Sequence, residues 1–130
     1  MLKRTRKKHK HTKKIQLKNN LQEIYQDINN TKQQNQKVGL LAVSKTHPKE
    51  TLRRAVALGI KCFGENKVQE AEAKAPHLPR NIELHLIGHL QSNKIKKALK
   101  IFNVIQTVDS LSLAEKINQN AIKTNKTQRI

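Results

Sequence analysis

One lysine stands out among the residues that could do chemistry, because it directly follows an apolar run. Residues 38–43 read VGLLAV and carry no charge, and Ser44, Lys45 and Thr46 come next. A lysine beside a buried segment loses hydration, which lowers its pKa and leaves a neutral amine that can attack an aldehyde and form an imine. A structural salt bridge, or a side chain that extends to water, is the alternative that these residues leave open.

Polar residues also follow three later apolar runs, and they are candidates for the same site. In chain order they are Glu65 and Asn66, His89 and Gln91, and Thr107 and Asp109. If the runs are parallel strands, their carboxyl ends meet at one edge, where the sites of barrels and open α/β sheets lie. His85 falls inside the third run, so we expect it to pack or hydrogen-bond within the core, with ligand contact as the alternative.

The elements that must position these residues alternate between strand and helix. Residues 18–36 place apolar side chains at helical spacing and predict a leading helix. Strands are then predicted at residues 38–43, 60–63, 82–87 and 104–108, each followed by a helical pattern. Expected helix boundaries are Pro48, Gly59, Ser92 and Ser110. Four successive strand-helix units predict an α/β fold with a parallel sheet and right-handed crossovers.

The N-terminus is the most basic part of the chain. Residues 1–14 contain 8 of the 27 Lys and Arg residues and no acidic residue, in a chain of net charge +18. We expect residues 1–17 to be a disordered basic tail and residues 18–130 to form the domain. The tail is either a solvated segment or an arm that binds nucleic acid through counterion release. The solvated segment is favoured, since the tail has no aromatic residue to stack on bases.

Targeting signals and cysteine usage predict a cytoplasmic protein that contacts no membrane. Neither a secretory nor a transmembrane segment is visible in the sequence. The single cysteine, Cys62, has no partner for an internal disulfide, which fits a reducing compartment.

Four segments resemble, in this order, the YggS/PROSC-like family of pyridoxal phosphate homeostasis proteins. They are LLAVSKTHP, FGENKVQEAEAK, ELHLIGHLQSNKIK and IQTVDSLSLAEKIN, and the resemblance covers about residues 20–122. It implies a parallel (β/α) barrel of the TIM type, similar to the N-terminal domain of alanine racemase. A complete barrel of this type takes roughly 200–250 residues. The 130 residues of this chain are therefore expected to hold the leading helix and about the first four βα units.

The resemblance implies a cofactor site. Pyridoxal 5′-phosphate is expected to bind as a Schiff base to Lys45, the lysine of the Val-Ser-Lys-Thr segment. Asn66 of the Gly-Glu-Asn segment is the second expected contact, and His85 and His89 are further candidates. The family acts in intracellular cofactor and amino-acid balance without established turnover, so we expect neither a catalytic residue nor a metal ligand. A racemase commonly adds a tyrosine base, and the only tyrosine, Tyr25, lies in the leading helix.

Full-length members of the family continue through later strands that this sequence does not contain. In many barrels the loops after strands seven and eight hold a phosphate, so anchoring of the cofactor phosphate is expected to be weakened. Unpaired edges at the first and fourth strands predict self-association. Two alternatives remain open, which are a fragment without function and a basic fragment that binds nucleic acid.

Overall fold

The structure, a computed structural model, describes the backbone of residues 2–130 and the side chains of residue 12 and residues 15–130. Its helices are α1 (Leu2–Thr31), α2 (Lys49–Ala57), α3 (Val68–Lys74), α4 (Ile95–Ile101) and α5 (Leu111–Lys123). Its strands are β1 (Ala42–Val43), β2 (Cys62–Glu65), β3 (Glu83–Leu86) and β4 (Val104–Ile105). Single 3₁₀ turns cover Ala75–His77 and Ser92–Lys94. The chain divides into two compact units, and the division lies between Leu40 and Leu41 in the sequence.

The first unit contains α1, which is longer than the predicted helix at residues 18–36. Its backbone is helical from Leu2 to Thr31 and includes the basic segment that was expected to be a tail. The side chains of most of that segment lie outside the described residues, so the domain boundary after residue 17 stays a prediction. Of the helices that the structure describes, none combines the length and the apolar character that a membrane span requires.

The second unit is built on a parallel sheet of order β1-β2-β3-β4. Val43 pairs with Gly64, Gly64 with His85, and His85 with Val104. Each connection between neighbouring strands contains a helix, which confirms the prediction of four parallel βα units. One expected edge is wrong, because Val104 also forms a parallel bridge with Arg129. Hydrogen bonding by the segment after α5 therefore covers part of β4, and self-association through the edges stays a prediction.

The two faces of the sheet differ in what they contact. Side chains alternate along a strand, so Leu84 and Leu86 share one face of β3 while Glu83 and His85 share the other. Both leucines are buried, as are apolar residues of the helices, and together they form the core. Its largest side chains are Phe63, Phe102, Leu52, Ile60, Leu86, Leu90, Ile95, Leu99 and Ile105. The second face, which we call the inner face, carries Val43 at 49% exposure.

All four strands depart from their predicted bounds; β3 is one residue shorter at each end, and β4 ends at Ile105 and not at residue 108. The apolar run at residues 38–43 contributes only Ala42–Val43 to the sheet. Strand β2 starts two residues later than expected and ends at Glu65, which therefore lies in the strand and not in the loop after it. Gly64 lies within this strand, where an added Cβ would meet side-chain atoms of Leu41 and Ile87 at 2.7 and 2.8 Å.

Helix boundaries follow the predicted signals with one exception. Ser110 is the N-cap of α5, and its hydroxyl accepts a hydrogen bond from the backbone of Leu113 at 3.3 Å. Gly59 follows α2 with φ 97°, a left-handed conformation that glycine adopts without steric cost. Ser92 does not cap α4, because it begins the 3₁₀ turn that leads into that helix.

Candidate functional site

Lys45 lies in a turn at the carboxyl end of β1. Its side chain is exposed, and within the described residues it makes no hydrogen bond or ion pair. The sequence predicted a desolvated lysine, but the described residues leave the Lys45 side chain exposed. Ser44 precedes it with its side chain on the core side of the sheet, so strand alternation directs Lys45 toward the inner face. The amine is accessible and has no partner among the side chains that the structure describes.

A buried ion cluster lies behind this turn, on the core side of the sheet. Glu65 is fully buried and Lys74 is 6% exposed, and the Lys74 ammonium donates to Glu65 Oε1 at 2.8 Å. The same ammonium donates to the carbonyl oxygen of Ser44 and to Glu70 Oε1, each at 2.8 Å. Ser44 Oγ donates to Glu65 Oε1 at 2.5 Å. The residue just before Lys45 is thus hydrogen-bonded through both its carbonyl and its hydroxyl group.

The other side of the Lys45 turn is held by Glu70. The backbone N–H of Thr46 donates to Glu70 Oε1 at 2.5 Å. Thr46 has φ 65°, a left-handed conformation that is uncommon for a β-branched residue. The hydrogen bond from Lys74, and then that from Thr46, lowers the pKa of the Glu70 carboxyl below its ordinary value of 4.5. Glu70 is consequently ionised at neutral pH and accepts from both groups.

A cleft of about 470 Å³ opens between the loops that follow β2 and β3. Two predicted site residues, Asn66 and His89, line it, and Gln91 does so as well. Neither Lys45 nor His85 lines this cleft. The lining also contains Lys67 and Lys94, which the sequence analysis did not single out. Both lysines follow an asparagine directly before a helix, and that repeated Asn-Lys pair is the signal that could have identified them.

The two loops approach each other closely at Gly88. A Cβ atom at this position would lie 2.2 Å from the backbone oxygen of Asn66, so only glycine fits without movement of the backbone. Thr107 Oγ1 donates to the Gly88 carbonyl at 2.6 Å, which connects the loop after β4 to the loop after β3. The carboxyl ends of β2, β3 and β4 are therefore connected through one glycine.

The two histidines occupy different environments. His85 lies on the inner face, where Gln106 Nε2 donates to its Nδ1 at 2.8 Å and its Nε2 lies 3.2 Å from Glu83 Oε2. Side-chain hydrogen bonds therefore account for both ring nitrogens, although they lie on the inner face and not within the core, where the sequence predicted them. His89 is exposed beside the cleft, and its Nδ1 lies 3.9 Å from Asp109 Oδ2. A cofactor role for either histidine stays a prediction.

Cys62, Glu83 and His85 form the group of potential metal ligands in the part of the chain that the structure describes. Burial, and then the charge of Glu83, raises the pKa of the Cys62 thiol and disfavours the thiolate that binds metals. Glu83 already pairs with His85 and with the Arg129 guanidinium, at 2.9 Å. Hydrogen bonding and ion pairing within the chain therefore explain the group, and the expectation of no metal ligand stays a prediction.

Similar proteins share one name. The chain is 39% identical over 110 residues to the pyridoxal phosphate homeostasis protein of Pasteurella multocida, which covers 79% of this chain and 47% of that protein. It is 44% identical over 85 residues to the protein of the same name from Pseudomonas aeruginosa, covering 63% and 36%. The chain thus spans about half, or less, of the length of these relatives.

Solved structures of similar proteins include one with the cofactor. PipY of Synechococcus elongatus PCC7942 with PLP bound has a TM-score of 0.71 and 40% identity, over 82% of this chain and 50% of that one. The same protein without PLP has a TM-score of 0.68 and 45% identity, over 70% and 43%. These similarities support the parallel barrel architecture that the sequence analysis predicted.

A family model decides the assignment. The model of the alanine racemase N-terminal domain matches residues 16–130, which is most of the chain. The resemblance inferred from the four sequence segments is confirmed by this match and by the relatives above. The chain belongs to the alanine racemase N-terminal domain family.

Proposed function

We propose that this chain binds pyridoxal 5′-phosphate through a Schiff base at Lys45 and acts in intracellular cofactor homeostasis and amino-acid balance without catalytic turnover. The observation that carries the proposal is an exposed lysine, unpaired within the described part of the chain, at the carboxyl end of a parallel strand, in a turn with both flanks hydrogen-bonded. When bound, pyridoxal 5′-phosphate supplies an aldehyde with which a lysine amine condenses and releases water. A lysine without a structural partner meets the first requirement of that chemistry.

The cleft beside the strand ends fits a phosphorylated ligand. Lys67 and Lys94 bring two positive charges to its lining, and Asn66 and Gln91 offer amide donors. Register pairing places the Lys45 turn next to the loop that contains Asn66, because Val43 and Gly64 are partners in neighbouring strands. We assign Lys45 to the covalent contact and Asn66 to hydrogen bonding of the cofactor, with His89 as a further donor at the cleft edge.

The groups around Lys45 favour cofactor binding without turnover. Racemisation needs a proton donor and acceptor on each face of the cofactor, and a tyrosine commonly provides the second. Tyr25, the sole tyrosine, lies in the first unit, in α1. Lys45 is also exposed, so water reaches it freely and would hydrolyse a bound imine. Reversible binding of the cofactor fits this exposed lysine better than a reaction that must be shielded from water. The relatives, which are named as homeostasis proteins, support the same interpretation.

The test must separate Lys45 from the other lysines, because a chain with 21 lysines offers many amines to an aldehyde. The chain is mixed with substoichiometric pyridoxal 5′-phosphate, reduced with borohydride and digested, and mass spectrometry locates the pyridoxyl group. We expect the label mainly on Lys45, and we expect the imine absorbance to disappear in Lys45→Ala. The exposed Lys96→Ala variant serves as the matched control and should keep the signal.

Label distributed over many exposed lysines, with equal spectra for the three proteins, would refute the proposal. That result would favour a fragment that keeps the family's sequence and has lost its function. Racemisation of a chiral amino acid by the loaded chain, followed by circular dichroism, would contradict the part of the proposal that denies turnover.

A further inference from the structure

The Lys74 ammonium has three N–H donors, and all three are used at the back of the Lys45 turn. They reach the Ser44 carbonyl, Glu65 Oε1 and Glu70 Oε1, each at 2.8 Å. A lysine that satisfies three acceptors in one place is fixed in its position. Two of the acceptors are carboxylates, so these hydrogen bonds are charge-assisted and strong.

These contacts restrain the backbone on both sides of Lys45. The Ser44 carbonyl accepts from Lys74 and also from the backbone N–H of His47, at 3.1 Å. The Thr46 N–H donates to Glu70, which itself is held by Lys74. The two peptide groups that flank Lys45 are therefore connected through a single ammonium group on α3.

Stability alone does not explain an ion pair at this place. A buried pair costs desolvation, and apolar residues of similar volume are often as stable or more so. Glu65 and Lys74 are both buried, and Glu65 Oε2 has no hydrogen-bond partner among the described residues. The cluster thus pays for desolvation that an apolar pair would avoid. Its contacts to Ser44 and Thr46 give it a different role, which is to fix the turn.

We propose that Lys74, together with Glu65 and Glu70, is a positioning residue that fixes the Lys45 turn so that the Lys45 amine faces the inner side of the sheet. This inference rests on the function proposed for Lys45. Lys74 itself lies on the core side and acts only through the backbone of residues 44–46. It is distinct from the lysines of the cleft, which would contact the ligand directly.

The first readout is independent of the cofactor. Hydrogen exchange of the Thr46 and His47 amides, followed by NMR, reports on the turn alone. In Lys74→Met we expect this exchange to be about tenfold faster or more, since the turn loses a hydrogen bond to a charged group. The exposed Lys97→Met variant, which removes the surface pair of Lys97 with Glu72, is the matched control and should leave the exchange unchanged.

The second readout separates positioning from stability. Lys74→Met leaves Glu65 buried and unpaired, whereas the double variant Glu65→Gln/Lys74→Met removes both charges. The double variant should be more stable than the single variant. It should nevertheless bind pyridoxal 5′-phosphate about tenfold more weakly than the unchanged chain, as judged by imine absorbance, because the Ser44 carbonyl has still lost Lys74. Glu70→Ala, at a half-buried position, should speed Thr46 exchange while the chain remains folded.

Two results would overturn the proposal. One is unchanged amide exchange in a folded Lys74→Met or double variant, and the other is a double variant that binds the cofactor as tightly as the unchanged chain. If the unchanged chain fails to label at Lys45, the function proposed above is wrong, and the exchange result still decides whether Lys74 fixes the turn.

Discussion

Ser44 and Lys45 are neighbours in the chain with opposite surroundings. Ser44 is 3% exposed and donates to a buried carboxylate, whereas Lys45 is exposed and without a partner among the described residues. A residue with two buried hydrogen bonds fixes the direction of the residue that follows it. We therefore expect the orientation of Lys45 to depend on how firmly its neighbours are held.

Ser44→Ala tests how much the hydroxyl contributes to stability. Its removal takes one hydrogen bond from the buried Glu65 carboxylate, so the free energy of unfolding should fall by about 1.5–3 kcal/mol. Urea denaturation measures the change. Ser92→Ala is the control, because Ser92 is exposed and its only side-chain partner among the described residues is Lys116; its effect should stay within about 0.5 kcal/mol. Equal effects of the two changes would show that the contact to Glu65 is not stabilising.

We expect the ionised Glu70 carboxylate to stabilise the folded state at neutral pH and to lose this contribution in acid. Its folded pKa lies below the ordinary 4.5, chiefly because Lys74 donates to it, so the folded state holds fewer protons than the unfolded state as pH falls through this range. The contribution is complete above about pH 4.5 and is lost as pH drops through the folded pKa. Urea midpoints at pH 7 and pH 3 should therefore differ less in Glu70→Gln than in the unchanged chain. Identical differences would contradict this assignment.

At the scale of elements, local signals predicted strand ends and helix caps. The end of an apolar run marked the Lys45 turn, and Ser110 marked the start of α5. The pair of Glu65 and Lys74 was not predictable in this way. They lie nine positions apart, and their contact depends on α3 folding back over β2, which neither the strand period nor the helix period predicts. The bridge between Val104 and Arg129 was not predicted, because a single bridged residue leaves no alternating pattern in the sequence.

The spacing of two loops depends on Gly88. In Gly88→Ala the new methyl group would overlap the Asn66 backbone, so the loops after β2 and β3 must separate. We expect a lower melting temperature and weaker binding of pyridoxal 5′-phosphate. Gly39→Ala is the matched control, because an added Cβ there has no atom within 4 Å. A Gly88→Ala chain with the melting temperature and binding of the control would contradict the close approach.

At the scale of the whole molecule, the net charge of +18 makes polynucleotide binding the alternative to cofactor binding. If the basic residues 1–14 bind a polynucleotide, affinity should fall steeply between low and moderate salt, because phosphate contacts release counterions. Deletion of these residues should then remove most of the binding. Imine formation at Lys45 should change little with salt and should survive the deletion. Filter binding and absorbance, measured on the same two proteins, separate these outcomes. Polynucleotide affinity that is independent of salt would exclude an electrostatic arm.

The alternation in β3 has a consequence for how this sequence can vary. Leu84 and Leu86 are 4% and 0% exposed under the helices, whereas Glu83 and His85 lie on the inner face among polar neighbours. Shortening a buried leucine leaves a cavity that costs about 2–5 kcal/mol, whereas shortening a polar side chain on the inner face leaves no such cavity in the apolar core. A library of single substitutions selected only for folding should therefore show a stripe of period two, with few replacements accepted at even positions and many at odd ones.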